Sequence, residues 1–171
     1  MSLKNQIIAW LLKREQKKLN RTVRVINLAQ VRTVGILWKA DDREVFDILT
    51  SQLKESGIEV SSLCFSSQRG SVRGEAVFSP QDISVFGKIK NEEISKFIAH
   101  KFDVLIDISL SSGIEIQYLR CLSHARFKTG WSEARPDYFD LSIDVSKRKE
   151  PSYLADQIIH YLSEINKQAV V

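Results

Sequence analysis

The chain has 171 residues, 43% of them apolar and 27% charged, with 7 Gly and 3 Pro spread along the length. That composition fits a globular chain of one-domain size and excludes collagen-like, disordered and loop-dominated proteins. The net charge of +4 is only mildly basic, the 9% of aromatic residues are not interleaved with a basic stripe, and RNA-recognition signatures are absent, so a nucleic-acid partner is not expected.

Cys64 and Cys121 are far apart and form no CxxC pair. They read as reduced core thiols, not as a disulfide framework. No apolar run approaches the roughly 18 residues that span a bilayer. The segment Ile7 to Leu12 is too short for a signal peptide and no small-residue cleavage site follows it. The expected address is the cytoplasm.

In chain order, Ser2 to Asn20 carries Leu3, Ile7, Ile8, Leu11 and Leu12 on one broad helical face. Lys4, Lys13, Arg14, Lys17, Lys18, Arg21 and Arg24 make this end basic, with Glu15 the only acid. Two readings stand: a helix lying on an anionic membrane or nucleic acid, or one packed on the domain with its lysines in water. Thr22 to Leu28 reads as extended. Arg32 to Trp38 reads as a buried strand, followed by Asp41, Asp42 and a helical stripe of Val45, Ile48, Leu49 and Leu53 that Gly57 closes. Ile58 to Phe65 is a second strand, completing a right-handed βαβ unit.

Ser66 to Pro80 is the most loop-like stretch, and Ile83 to Phe86 reads as a short strand. Asn91 caps a helix with Glu92 and Glu93 in its first turn and Ile94, Phe97 and Ile98 inward. Asp103 to Ser109 is the clearest strand. Ser112 and Glu115 form a capping box for a helix through about Ala125, with Ile114, Tyr118, Cys121 and Leu122 inward. Strands are expected near Phe127 to Gly130 and Phe139 to Val145. Pro151 opens a last helix whose stripe is Leu154, Ile158, Tyr161, Leu162 and Ile165. Residues 1–171 are thus expected to form one Rossmann-like three-layer α/β domain with a mostly parallel sheet and an extra basic, amphipathic N-terminal helix over 1–20.

Most chemical motifs are missing. No GxGxxG or Walker lysine loop follows the first strand, and carboxylates at Lys39-Ala40-Asp41-Asp42 would repel a pyrophosphate. His100, His124 and His160 fall on separate predicted helices without ligand partners, so no metal site is indicated and no cofactor is implied. The serines lack a GxSxG elbow. What remains is an acidic edge, where Asp41, Asp42 and Asp107 follow neighbouring strands. Carboxylates there hold Mg²⁺, supply a base, or merely cap a helix and bond to backbone. Lys147-Arg148-Lys149 is a basic cluster suited to a phosphate or to a solvated turn. The loop Arg69 to Gly74 wraps an anion with its amides or is simply surface.

Val34-Gly-Ile-Leu-Trp38, Phe102-Asp-Val-Leu-Ile-Asp-Ile108, Ala125-Arg-Phe-Lys-Thr-Gly130 and Tyr138-Phe-Asp-Leu-Ser-Ile143 together resemble a small family of uncharacterised single-domain bacterial proteins. More distantly, the chain is similar to the N-terminal, acceptor-side half of ADP-heptose–lipopolysaccharide heptosyltransferases. That resemblance implies Asp41 or Asp42 as the base for an acceptor hydroxyl, although Ala40 replaces the family's Gly. Those enzymes use a second Rossmann-like domain for the nucleotide sugar, and no such domain is expected within these 171 residues. A third, looser likeness is to receiver domains of two-component signalling. It implies Asp42, Asp107, Thr129 and Lys147 as a Mg²⁺-dependent phospho-acceptor set, with no Lys-Pro pair to complete it. The expectation from these features is a non-catalytic binding or scaffolding domain, its partner a protein, a second copy, or a membrane surface met by the N-terminal helix. The alternatives are an enzyme or enzyme subunit acting on a sugar or phosphorylated small molecule, and the phospho-acceptor switch.

Overall fold

A computed structural model describes residues 1–68, 72–111 and 113–167. Six parallel strands run β1 (Thr33–Lys39), β2 (Glu59–Phe65), β3 (Val77–Phe78), β4 (Val104–Asp107), β5 (Lys128–Gly130) and β6 (Leu141–Ser142). They lie in the order β3-β2-β1-β4-β5-β6, all pairs parallel. This is the strand order of the Rossmann fold, in which the winding reverses between β1 and β4. Their register puts Val34 beside Val104 and Leu37 beside Asp107.

The helices are α1 (Leu3–Lys18), α2 (Arg43–Glu55), α3 (Glu92–Ala99), α4 (Ile114–Leu122) and α5 (Pro151–Glu164). Alternate residues of β1 and β4 feed the two sides of the sheet. Val34, Ile36, Trp38, Val104 and Ile106 pack with Phe46, Leu49 and Leu53 of α2 and with Leu154, Ile158 and Leu162 of α5. Leu37, Leu63 and Leu105 pack on the other side with α1, α3 and α4 through Ile8, Leu11, Ile94, Phe97 and Tyr118. Three layers result, as the alternation of elements predicts.

Several local expectations hold for simple reasons. The Asn91 side chain accepts the Glu93 amide at 2.9 Å and opens α3. Gly57, just past α2, has φ 76, which costs glycine no steric clash. Pro151 occupies the first turn of α5.

Others are corrected. Ile83 to Phe86 is not a strand: Ile83 makes an isolated antiparallel bridge to Ile89, and Val85 and Phe86 form the tip of the turn closed by Gly87 N–H to Ser84 O at 2.9 Å. The strand lies earlier, at Val77–Phe78, inside the stretch read as loop. The α2 stripe is rotated, with Phe46 buried and Ile48 63% exposed. Tyr161 of α5 is likewise exposed. The α4 N-cap is Gly113, without a side-chain bond, and the Ser112 half of the expected capping box lies outside the described residues. Arg69, Gly70 and Ser71 of the proposed anion loop also lie outside them. No helix among the described residues is long and apolar enough to cross a membrane.

Candidate functional site

A sheet of this order takes ligands outside the carboxyl ends of its strands, near the reversal point. Here that edge is built by the turn after β1 and the loop after β4. Asp107, the last residue of β4, has no exposure. Its Oδ1 accepts the Ser109 amide at 2.8 Å and the Ser109 hydroxyl at 2.6 Å, and its Oδ2 accepts the Arg120 Nε–H at 2.8 Å. Arg120 is as buried as its partner. It donates onward to Asp137 O at 2.9 Å and to Ser111 O at 2.8 Å, with its guanidinium 4.5 Å from the Phe139 ring centre.

The consequence is a closed network. One guanidinium ties α4 to the loops that follow β4 and β5, and Ser132 adds a hydroxyl bond to the same Ser111 carbonyl at 3.0 Å. Gly130 leaves the space: a Cβ there would sit 2.6 Å from the Asp107 carbonyl oxygen and 2.6 Å from Phe139. Asp107 therefore accepts three hydrogen bonds, one from a buried guanidinium, with no exposure to solvent, an arrangement that suits neither a Mg²⁺ ligand nor a phosphate acceptor.

Lys128 extends the buried charge. Only 2% exposed, it donates to Arg120 O at 2.6 Å and Cys121 O at 3.2 Å, the carbonyls closing α4, where the helix dipole favours a cation. Burial, reinforced by the positive charge of Arg21, pulls this amine down to about 7. A cleft of about 230 Å³ reaches it, walled by Arg21, Cys121, Tyr138 and Asp140 among others. Cys64, buried beside the Glu75 charge, is pushed up to about 12, and burial raises Cys121 as well, so both thiols are poor nucleophiles.

The β1–α2 turn looks different. Asp41 is exposed, and Asp42 is half-buried at the N-cap of α2, yet the Asp42 side chain makes no cap bond. Its Oδ2 is buried without a hydrogen-bond partner, as is the indole nitrogen of Trp38. Desolvation raises the Asp42 carboxyl above the usual range, Lys39 opposing it and Asp41 adding to it. The helix-capping alternative for Asp42 is thus not what the geometry gives.

The receiver-like set is not assembled. Thr129 pairs in register with Ile106 and Gly130 with Asp107, so the Thr129 side chain faces the α2/α5 side and Asp107 the α4 side. Thr129 is fully buried with its hydroxyl unpaired, and Lys147 stands exposed in the turn before α5. Arg148 pairs with Glu150 at 3.0 Å and Lys149 pairs with Glu133, so this basic cluster is partly neutralised. Among the described residues, no group of three or more His, Cys, Asp and Glu side chains converges to hold a metal ion.

Arg120 and Lys128 went unnoticed in the sequence. The signal for Arg120 was a charge four residues after Ile116, inside the apolar face of α4. For Lys128 it was a lone cation between Phe127 and Thr129 in a short buried strand.

The strand order places this chain in the Rossmann-like α/β class. Its sequence matches, over residues 4–165, the model of a family of unknown function (DUF6913), and the chain belongs to that family. No curated protein and no solved structure matches it.

Proposed function

We propose that this protein is a non-catalytic binding domain whose contact surface is the outer side of α1, and that it meets an anionic lipid surface there. One observation carries the reading. α1 is held to the domain by Ile8, Leu11 and Leu12, all at most 5% exposed, yet it leaves Leu3 70% and Trp10 60% exposed. Leu3, half-buried Ile7 and Trp10 fall at i, i+4 and i+7, on one side of the helix.

Other exposed apolar and basic side chains stand near it. Phe86 is 80% exposed on a turn that packs on α4 and α1: Tyr118 donates to Gly87 O at 3.1 Å, and a Cβ on Gly87 would sit 2.5 Å from the Leu11 side chain. Lys13, Arg14, Lys17 and Lys18 follow along α1, and Arg14 lies 5.1 Å from the Trp10 ring centre. Exposed Trp10 and Leu3 beside lysines and arginines give this side of the domain the side chains that a weak interfacial contact uses. Burying two or three such side chains, at roughly 1.5–3 kcal/mol each, gives weak, reversible attachment strengthened by anionic lipid.

On this reading no transfer chemistry is assigned to Asp107 at the carboxyl edge, which is spent on Arg120 and Ser109. The likeness to the acceptor half of a glycosyltransferase is, on this reading, kinship of fold without transfer chemistry. Sedimentation with phosphatidylcholine vesicles, with and without phosphatidylserine, tests the reading. Binding should require phosphatidylserine and should fall at least tenfold in the Leu3→Ser, Trp10→Ser variant. Self-association through the same stripe, with no vesicle binding, would make it a homodimer surface instead.

A further inference from the structure

The described clefts open mainly at the amino-terminal edge of the sheet, opposite the usual ligand edge. One of them, about 280 Å³, lies where the chain leaving α1 crosses the segments that lead into β4 and β5. Its walls are pinned by backbone: Arg24 N–H donates to Arg126 O at 3.0 Å, Arg126 N–H to Phe102 O at 2.8 Å, and His124 N–H to Ile98 O at 3.0 Å. At about 30 Å³ per liquid water, that volume holds a phosphoryl group with part of its ester.

The lining is basic. Arg21, Arg24, Lys101, His124 and Arg126 face it together with Asn20 and Thr22, and no carboxylate lines it. Two of these cations have partners: Arg21 makes a two-pronged pair with Asp140 at 2.7 and 2.5 Å, and Arg126 makes a single contact to Asp103 at 3.2 Å. Among the described residues, Arg24 and Lys101 have no ion-pair partner. Like charges gathered in one concave place, with donors of differing geometry, attract an anion and repel one another without it. Arg supplies a planar fork and Lys a compact charge, the combination that suits a phosphate dianion.

We infer that this cleft is a phosphomonoester-binding site, with Arg24, Lys101 and Arg126 as its charged contacts and His124, Asn20 and Thr22 as neutral or ionisable donors around them. The ligand is a free phosphorylated small molecule or the headgroup of a phosphomonoester lipid; the chemistry recognised is the same. The site draws on observations separate from the exposed stripe of α1 and stands or falls independently of it.

The test is calorimetric titration of the full chain with glycerol 3-phosphate and with inorganic phosphate, against sodium chloride at matched ionic strength. Phosphate-specific heat is expected, weakened at least tenfold in Arg24→Gln, Lys101→Gln, while Lys54→Gln on α2 leaves it unchanged. Both target side chains are exposed, and circular dichroism confirms that the variants fold. A second arm compares vesicles carrying phosphatidic acid or phosphatidylserine at equal surface charge. Binding in solution assigns a soluble ligand; a preference for phosphatidic acid, lost in the double variant, with no binding in solution assigns a lipid headgroup. No phosphate-specific heat together with no phosphatidic acid preference overturns the inference, as does a response the double variant retains. If Trp10→Ser abolishes binding to phosphatidylserine vesicles but leaves phosphate binding intact, the two surfaces are shown to be separate.

Discussion

Asp107 at the end of β4 and Arg120 on α4 meet at 2.8 Å with neither side chain exposed to solvent. Stranding one charge of such a pair costs about 3–5 kcal/mol, because the remaining charge is left buried and uncompensated. Asp107→Ala and Arg120→Met should each lower the unfolding free energy by about that much. The double replacement should cost clearly less than the sum, since no charge is then stranded, although the carbonyls of Ser111 and Asp137 lose their donor. Urea denaturation of the three variants measures this. Additive losses would mean that the two side chains do not stabilise one another.

Lys128 makes stability depend on pH in a definite direction. Its amine is near 7 in the fold and near 10.5 when exposed, so between those values the unfolded chain holds a proton that the fold has released. Stability from this group therefore rises with pH from about 7 upward. Cys64, held up to about 12, works the other way above its ordinary value of 9.0, where the unfolded chain loses a proton the fold keeps. The window that isolates Lys128 is thus pH 7 to 9. Lys128→Met should flatten the rise there, read from urea midpoints at each pH.

Asp42 supplies an opposite test. Its carboxyl is raised by desolvation, so the folded state holds the proton more tightly than the unfolded chain does. The penalty to the fold builds as pH rises above the ordinary 3.8, is complete once pH exceeds the folded value, and is absent well below 3.8. Asp42→Asn should stabilise the protein at pH 7 and leave it unchanged near pH 3. Thermal unfolding at both values checks the sign. A destabilised variant at pH 7 would show that the carboxylate is satisfied after all.

The architecture was legible because burial periodicity is strong in the chain's central elements. Val34 to Trp38 and Val104 to Ile106 are continuous apolar runs, as strands covered on both faces must be, and the α3 stripe of Ile94, Phe97 and Ile98 reads directly. Short elements escaped for the converse reason. Val77–Phe78 is two residues long, too short for any period, and its pairing depends on Cys64 and Phe65 of a distant segment. The acidic edge was visible as residue types, but what each carboxylate does was not. Asp107 is disarmed by an arginine 13 residues on, and only the fold places that guanidinium behind the strand. The basic cleft gathers residues from 20 to 126, a convergence that no local pattern records.

Trp10 offers the most direct measurement of the central claim. Of the 3 tryptophans, Trp38 and Trp131 are 0% and 4% exposed, so collisional quenching by acrylamide in the native protein reports almost entirely on Trp10 at 60%. A Trp10→Phe variant provides the baseline. On adding vesicles that contain phosphatidylserine, the quenchable emission should shift to the blue and become protected, while phosphatidylcholine alone leaves it accessible. Emission that stays fully quenchable with either vesicle, and at every protein concentration, would contradict α1 as the contact surface.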